Sequence, residues 1–153
     1  RTVGLALADK LQRSRGDTHV MPHVRDTFAD ALRRAGLADV DDLSAVEVHD
    51  CFTASGYLAI DHTGITGPGE SWKAIESGDI ERTGRIPVNP GGGLIGGGHP
   101  VGATGVRMAV DAFRQVSGTA GATQVDGARR VGTLNIGGST ATTCSLILEG
   151  ASA

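Results

Sequence analysis

The sequence has few cysteines, no long apolar run and no excess of basic residues. Its two cysteines, Cys51 and Cys144, are too few for a disulfide framework, which favours a reducing, cytoplasmic location. No apolar run approaches the roughly 20 residues of a membrane-spanning helix. The formal net charge of −3 gives no field that would attract nucleic acid or an anionic membrane. The first residues lack the basic-then-apolar pattern of a signal peptide, so we expect no secretory leader.

Glycine, in contrast, is abundant. There are 24 glycines among 153 residues, and they cluster at residues 91–98, 102–105 and 137–138. Clustered glycine indicates backbone in tight or left-handed conformations, or backbone that a ligand approaches closely. The length corresponds to about one domain. We therefore expect one domain whose glycine-rich loops, placed between regular elements, carry the function.

Hydrophobic periodicity predicts helices that alternate with strands. The predicted elements are, in order, helix 21–36, strand 45–48, helix 52–63, a surface excursion at 64–84, strand 85–89, helix 104–117, strand 130–136 and strand 143–148. One face of helix 104–117 comprises Val106, Ala109, Val110 and Phe113. The alternation indicates an α/β fold in which helices cover a mixed sheet. We expect residues 1–19 to be an N-terminal segment of uncertain structure and residues 20–153 to form the domain.

His49 and Cys51 lie where a predicted strand passes into a predicted helix. On an extended backbone the two side chains point to the same side, and a helix N-terminus stabilises negative charge such as that of a thiolate. With Asp50 between them they form a plausible acid/base cluster. The alternative is that Cys51 is a small buried hydrophobe and His49 a satisfied core residue.

Two further segments carry candidate functional groups. His99 lies among glycines beside Pro100, and histidine is suited to general-base work. The alternative, a phosphate-binding glycine loop, is disfavoured because no Gly-Lys-Ser/Thr follows. Gly137 ends a predicted strand and could offer its N–H to an oxyanion, although a plain hairpin turn explains it too. Cys51, His99 and Gly137 each follow a predicted strand or the loop that it feeds, which indicates a single site.

In this order the three segments resemble the C-terminal domain of the thiolases, over roughly residues 20–150. Residues 89–105 resemble the family's signature Asn-x-x-Gly-Gly…Gly-His-Pro-x-Gly-x-Ser/Thr-Gly, which fixes many positions around one histidine. His49-Asp50-Cys51-Phe52 resembles the variant of sterol-carrier-protein-type thiolases, where most thiolases have Asn-Glu-Ala-Phe. The chain is therefore similar to a sterol-carrier-type acetyl-CoA acyltransferase.

The resemblance implies a role for each matching residue. His99 matches the catalytic histidine that activates a nucleophilic cysteine and helps to bind the thioester oxygen. His49 takes the place of the asparagine that completes this first oxyanion site, and Gly137 matches the glycine of a second one. Asn135 stands where most thiolases have their acid/base cysteine, so Cys51 is expected to move the α-proton. The expected substrate-binding residues are Asn89, Gly98 and Phe52.

Other groups are expected to stay outside the chemistry. Cys144 lies in the final predicted strand, away from the motif positions, and is interpreted as structural. We expect no metal site, because no histidine pair has ligand spacing with the cysteines. The resemblance implies no tightly bound cofactor, with coenzyme A entering as substrate or product.

The resemblance also implies that half of the active site lies elsewhere. The nucleophilic cysteine of thiolases belongs to their N-terminal domain, and nothing in these 153 residues matches it. We therefore expect an N-terminal half as partner, from the same protein or from a separate chain, and exposed apolar surface where it docks. We also expect an acyl-CoA substrate and a homo-oligomer such as a dimer, with no nucleic acid and no membrane span.

Three functions follow from these expectations. The first is acyl transfer on 3-ketoacyl-CoA and acetyl-CoA through a carbanion, with the nucleophile supplied by the other half. The second is a retro-aldol carbon–carbon lyase acting on steroid side-chain CoA thioesters, which needs no acyl-enzyme. The third is a non-catalytic subunit that binds lipid or a partner protein.

Overall fold

A mixed β-sheet organises the described part of the chain. The computed structural model describes residues 2–4, 14–138 and 140–151. The four strands are β1 (Thr2–Gly4), β2 (Ala45–Val48), β3 (Arg130–Gly137) and β4 (Thr142–Glu149). Their order in the sheet is β1-β4-β3-β2, with β2 parallel to β3 and the other two pairs antiparallel. The predicted α/β class with a mixed sheet is confirmed.

Five helices within the described residues accompany the sheet. They are α1 (Pro22–Arg34), α2 (Thr53–His62), α3 (Ser71–Glu76), α4 (Gly93–Gly97) and α5 (Thr104–Val116), with single 3₁₀ turns at Val40–Asp42 and Gly121–Thr123. The three predicted helices correspond to α1, α2 and α5. Proline in the first turn of α1 suits a helix start, and Gly36, in the left-handed region at φ 73°, follows its end. Within the described residues, no helix is both long and apolar enough to cross a membrane.

The sheet is covered on both faces. Val46 and Val48 of β2 pack with Phe28 of α1 in the larger core cluster. Ala45 of the same strand packs with Ala112 of α5 in a second cluster. All four β2 residues are buried, as expected for a strand with helices on both sides. Because β2 and β3 are parallel, their carboxyl ends meet at one edge of the sheet, and this is where the site lies.

Two sequence predictions for the middle of the chain are wrong. The strand predicted at 85–89 reduces to a single bridge between Val46 and Val88. Pro87 has no N–H to donate and Asn89 has a left-handed backbone at φ 49°, so a ladder cannot continue. The excursion at 64–84 is not wholly a surface segment, because it contains α3 and buries Ile65 and Ala74 in the larger core cluster.

The apolar face predicted for helix 104–117 does not pack on the sheet. Met108 and Ala112, on the opposite side of α5, are fully buried instead. Val106 is 68% exposed and Phe113 59% exposed, and Val110 is also exposed. The expected exposed apolar surface is therefore present on this face of α5.

The N-terminal segment is only partly described. Residues 2–4 form β1, which pairs with β4 at an edge of the sheet. Residues 1 and 5–13, which belong to the predicted segment 1–19, lie outside the described residues. The boundary at residue 20 stays a prediction.

Candidate active site

A cavity of about 540 Å³ opens at the carboxyl ends of β2 and β3. Five of the predicted site residues line it, namely His49, Cys51, Phe52, His99 and Gly137. Two others, Asn89 and Gly98, are not among the described residues of its lining. The convergence predicted from the strand ends therefore places the candidate acid/base groups around one cavity.

The imidazole rings of His49 and His99 meet edge to face. Their centroids lie 4.9 Å apart with an interplanar angle of 90°. His49 is held by β2 and the bond from its own N–H to the Leu134 carbonyl at 3.0 Å. His99 extends from the glycine-rich loop that precedes α5. A strand end and a loop thus bring together two histidines that are 50 positions apart in the sequence.

Hydrogen bonds fix which ring nitrogen of His99 carries hydrogen. Nδ1 of His99 lies 2.6 Å from Oγ1 of Thr104, which is buried, and Thr104 donates its own hydrogen to the Pro100 carbonyl at 3.1 Å. The Thr104 hydroxyl therefore accepts from His99 Nδ1–H. In neutral His99 the other nitrogen, Nε2, is left as an acceptor, which is what a general base requires.

His49 is oriented in the same way by Asn135. Its Nδ1 lies 2.7 Å from Oδ1 of Asn135, and an amide oxygen only accepts, so Nδ1 carries the hydrogen. Burial lowers the pKa of His49, partly offset by the Asn135 hydrogen bond, and the nearby His99 lowers it further. At neutral pH His49 is therefore uncharged and presents Nε2 as an acceptor.

Cys51 and Phe52 stand at the entrance to α2. The Cys51 thiol is half-buried and lies 3.5 Å from the hydroxyl of Ser55, one turn further along. Phe52 is 72% exposed although it lines the cavity. Cys51 thus shares the cavity with both histidines, as an acid/base role requires.

Asn89 supports the site indirectly, through the end of β2. Its side-chain oxygen accepts from the Val48 N–H at 2.7 Å, and its side-chain nitrogen donates to the Val48 carbonyl at 3.2 Å. Val48 is the last residue of β2, directly before His49. The contacts of Asn89 therefore fix the strand end that carries His49, and a substrate contact of Asn89 stays a prediction.

The glycine-rich loop is shaped by side chains of the protein itself. A Cβ on Gly93 would lie 2.4 Å from Oδ2 of Asp50, whose other oxygen accepts from the Leu94 N–H at 2.7 Å. A Cβ on Gly97 would lie 2.5 Å from Nη1 of Arg107, which donates to the Gly93 carbonyl at 3.0 Å. Glycine at 93 and 97 thus allows the loop to pack closely on the Asp50 carboxylate and the Arg107 guanidinium. From the sequence, a ligand was expected to make this close approach.

Cys144 lines the cavity as well, so its interpretation as remote from the motif positions is wrong. Cys144 and Asn135 are cross-strand partners in the β3–β4 pair, and such partners lie on the same face of a sheet. The predicted strands 130–136 and 143–148 contained the signal, because pairing Ile136 with Thr143 at their facing ends sets Asn135 opposite Cys144. Met21, Ser55, Leu58, Thr140 and Thr142 also line the cavity, and the sequence analysis missed them.

One buried acid near the site was also missed. Glu47 lies in the middle of β2 and is 1% exposed. Burial, assisted by the charge of Asp111, raises its pKa to about 8, although Arg107 opposes this. Among the described residues its Oε1 has no hydrogen-bond partner. In the described parts of the chain, no cluster of three or more His, Cys, Asp or Glu could hold a metal ion.

Fold and site together define a thiolase-like α/β domain. A model of the family described as "Thiolase C-terminal domain-like" matches residues 6–150, and the chain belongs to this family.

Individual relatives agree with that assignment. An acetyl-CoA acetyltransferase of Methanothermobacter thermautotrophicus is 42% identical over 134 residues, which cover 88% of this chain and 33% of the relative. Sterol carrier protein 2 of Gallus gallus is 37% identical over 106 residues, covering 69% of this chain and 19% of the relative. The solved structure of an Ltp2-ChsH2(DUF35) aldolase superposes with a TM-score of 0.75 at 26% identity, covering 90% of this chain and 35% of the other. The chain thus spans a third or less of the length of these two curated relatives.

Proposed function

We propose that this domain supplies the C-terminal half of the active site of a thiolase-type acyltransferase acting on 3-ketoacyl-CoA and acetyl-CoA. The observation that carries the proposal is the pair His49 and His99, at 4.9 Å, facing one cavity together with Cys51. The acetyl-CoA acetyltransferase relative, 42% identical, supports the same reaction class.

His99 is the proposed base for a nucleophilic cysteine of the N-terminal half. Its Nε2 accepts the thiol proton, because Nδ1 is bound to Thr104. In the cleavage direction the thiolate adds to the keto carbon, and the bond from that carbon to the α-carbon breaks. The electron pair stays on the α-carbon as an enolate, which takes a proton from Cys51. Coenzyme A then gives its thiol proton to the thiolate of Cys51 and attacks the acyl-enzyme. The nucleophilic cysteine leaves as a thiolate and takes back its proton from His99.

The negative charge on the reacting oxygens needs hydrogen-bond donors. The protonated Nε2 of His99 donates to one oxygen, and the Gly137 N–H is the proposed donor to the other. Neutral His49 has its Nδ1–H engaged by Asn135, so its Nε2 can orient a water molecule towards the first oxygen but cannot donate itself. Donors that are already in place stabilise the oxyanion without reorganisation.

The exposed face of α5 supports the need for a second half. Val106, Val110 and Phe113 present apolar surface that nothing in the described chain covers. In a monomeric protein such a surface favours contact with another chain or domain. We propose that the nucleophile-bearing half packs here.

A carbon–carbon lyase is the second candidate, because the chain superposes on an aldolase over 90% of its length. A retro-aldol reaction on a steroid side-chain CoA thioester needs a base for a hydroxyl proton and an oxyanion site, but no acyl-enzyme. The two candidates therefore differ in their need for the cysteine of the other half.

The test is thiolysis of acetoacetyl-CoA by this chain together with its N-terminal half. His99→Ala should lower kcat about 10²–10⁴-fold, whereas the matched variant His19→Ala, outside the cavity lining, should retain it. Full activity of His99→Ala would overturn the proposal. Cleavage of a 3-hydroxyacyl-CoA steroid thioester without any acyl-enzyme would favour the lyase.

A further inference from the structure

The described residues between β3 and β4 contribute to one wall of the cavity, and Thr140 among them has a strained backbone. Gly137, Gly138, Thr140 and Thr142 all line the cavity. Thr140 has φ 69°, one of two non-glycine residues with positive φ in the described chain. This left-handed conformation is unfavourable for a β-branched residue, so the surrounding structure must hold it.

A buried histidine on another element contacts that strained residue. His23, in the first turn of α1, is 2% exposed, and its Nε2 lies 3.0 Å from the carbonyl oxygen of Thr140. A carbonyl only accepts, so Nε2 carries the hydrogen and donates. The bond joins residues 117 positions apart. α1 is a firm support, because Val24 and Phe28 anchor it in the larger core cluster.

A second histidine fixes the start of α1 to α2. The Met21 N–H donates to Nε2 of His62 at 3.0 Å, and Nδ1–H of His62 donates to the Leu58 carbonyl at 2.6 Å. Met21 and Leu58 both line the cavity. The start of α1 is therefore fixed relative to α2. The hydrogen bond of His23 to Thr140 in turn fixes the turn relative to α1.

We propose that His23 is a positioning residue for the second oxyanion site: its hydrogen bond to Thr140 holds the strained turn and so keeps the Gly137 N–H in place. The inference rests on the proposed function, in which Gly137 binds an oxyanion. Within the turn, the Ala141 N–H to Gly138 carbonyl bond at 3.0 Å closes the loop but does not involve the Thr140 carbonyl. The brace from α1 is therefore a separate constraint on Thr140.

Three substitutions distinguish a positioning role of His23 from a purely structural one. His23→Ala removes the donor, and His23→Gln replaces it with an amide N–H. Thr140→Gly removes the strain, because glycine adopts positive φ without penalty. We expect His23→Ala to lower kcat about tenfold, the equivalent of one hydrogen bond, with little change in KM. His23→Gln should recover most of the loss in kcat. In a Thr140→Gly background, His23→Ala should lower kcat about threefold or less.

The experiment uses this chain together with its nucleophile-bearing half and measures kinetics and hydrogen–deuterium exchange of the peptide covering residues 136–142. His23→Ala should speed exchange in that peptide, and His23→Gln should restore it. Equal losses of kcat in His23→Ala and His23→Gln, or unchanged exchange in both, would overturn the inference. If the unsubstituted protein transfers no acyl group, the proposed function fails, and the exchange measurement still decides whether His23 holds the turn.

Discussion

The side-chain oxygen of Asn135 lies 2.7 Å from Nδ1 of His49 and determines which nitrogen of that ring carries hydrogen. Glycine at position 105 makes this arrangement possible, because a Cβ there would lie 2.5 Å from the Asn135 nitrogen. Asn135, at the position where the thiolase resemblance leads one to expect a cysteine, therefore orients a histidine. In the proposed mechanism the α-proton is therefore assigned to the Cys51 thiol.

Removing the amide should change both the titration of His49 and the rate. The Asn135 hydrogen bond raises the pKa of His49 whereas burial lowers it, so the pKa should fall further in Asn135→Ala. The freed ring can rotate, and kcat should fall about tenfold. The measurements are an NMR titration of the His49 ring and thiolysis kinetics. A rise in the pKa of His49 would contradict the assigned direction of this bond.

Two thiols in one cavity make the proton carrier testable. Cys51→Ala should abolish exchange of the substrate α-proton with solvent while acylation of the nucleophile stays measurable. Cys144→Ala is the matched control and should retain exchange, although both thiols line the cavity. Deuterium exchange followed by mass spectrometry measures each variant. Lost exchange in Cys144→Ala alone would transfer the role from Cys51 to Cys144.

Local sequence pattern predicted α1, α2, α5 and the end of β2, although α5 leaves much of its predicted apolar face exposed. The same local signals placed Cys51 after β2 and Gly137 at the end of β3, whereas His99 reaches the site from the glycine-rich loop, because the strand predicted before it did not form. The cavity position of Cys144 depends instead on the register of β3 and β4. The strand predicted at 85–89 did not form because Pro87 has no backbone N–H to donate. An apolar run predicts a strand without regard to this missing donor.

Contacts between distant residues could not be predicted from local pattern. Nothing in the sequence near His23 indicates that it reaches Thr140, 117 positions away. The apolar spacing correctly predicted helix 104–117. The face of this helix that packs on the sheet, however, is the one that carries Met108 and Ala112. In the glycine-rich loop, composition alone cannot distinguish an approaching ligand from the Arg107 side chain.

The loop glycines provide a matched pair for stability. Gly93→Ala would place a Cβ 2.4 Å from Oδ2 of Asp50 at a residue with φ 61°, combining a clash with backbone strain. We expect a loss of about 2 kcal/mol or more in the free energy of unfolding. Gly96→Ala, in α4 with open space around its Cα, should be neutral or stabilise by up to about 1 kcal/mol. Chemical denaturation measures both, and equal effects would contradict the close contact at Asp50.

Glu47 should make the folded state less stable as the pH rises. Its pKa is raised from 4.5 to about 8 in the folded protein, chiefly by burial. Between these two values the folded state binds more protons than the unfolded state, so the free energy of unfolding falls with increasing pH. Glu47→Gln cannot ionise and should gain stability over the wild type progressively from pH 4.5 to about 8. Denaturant unfolding over this pH range measures the difference in the free energy of unfolding, with the exposed Glu76→Gln as control. If the difference between Glu47→Gln and the wild type stayed constant with pH, Glu47 would not titrate in this range.

The exposed face of α5 predicts where the other half docks. Phe113 is 59% exposed and lies beside Val110 on that face, whereas Trp72, 49% exposed, lies on α3. If the nucleophile-bearing half packs on α5, Phe113→Ser should weaken its association about tenfold or more, because a buried aromatic side chain dominates such contacts. Trp72→Ser removes an aromatic of similar exposure and should leave association unchanged. Titration of the two halves by calorimetry measures both variants, and thermal unfolding of each verifies that Phe113→Ser still folds. Equal affinity of Phe113→Ser and the wild type would move the docking surface away from α5.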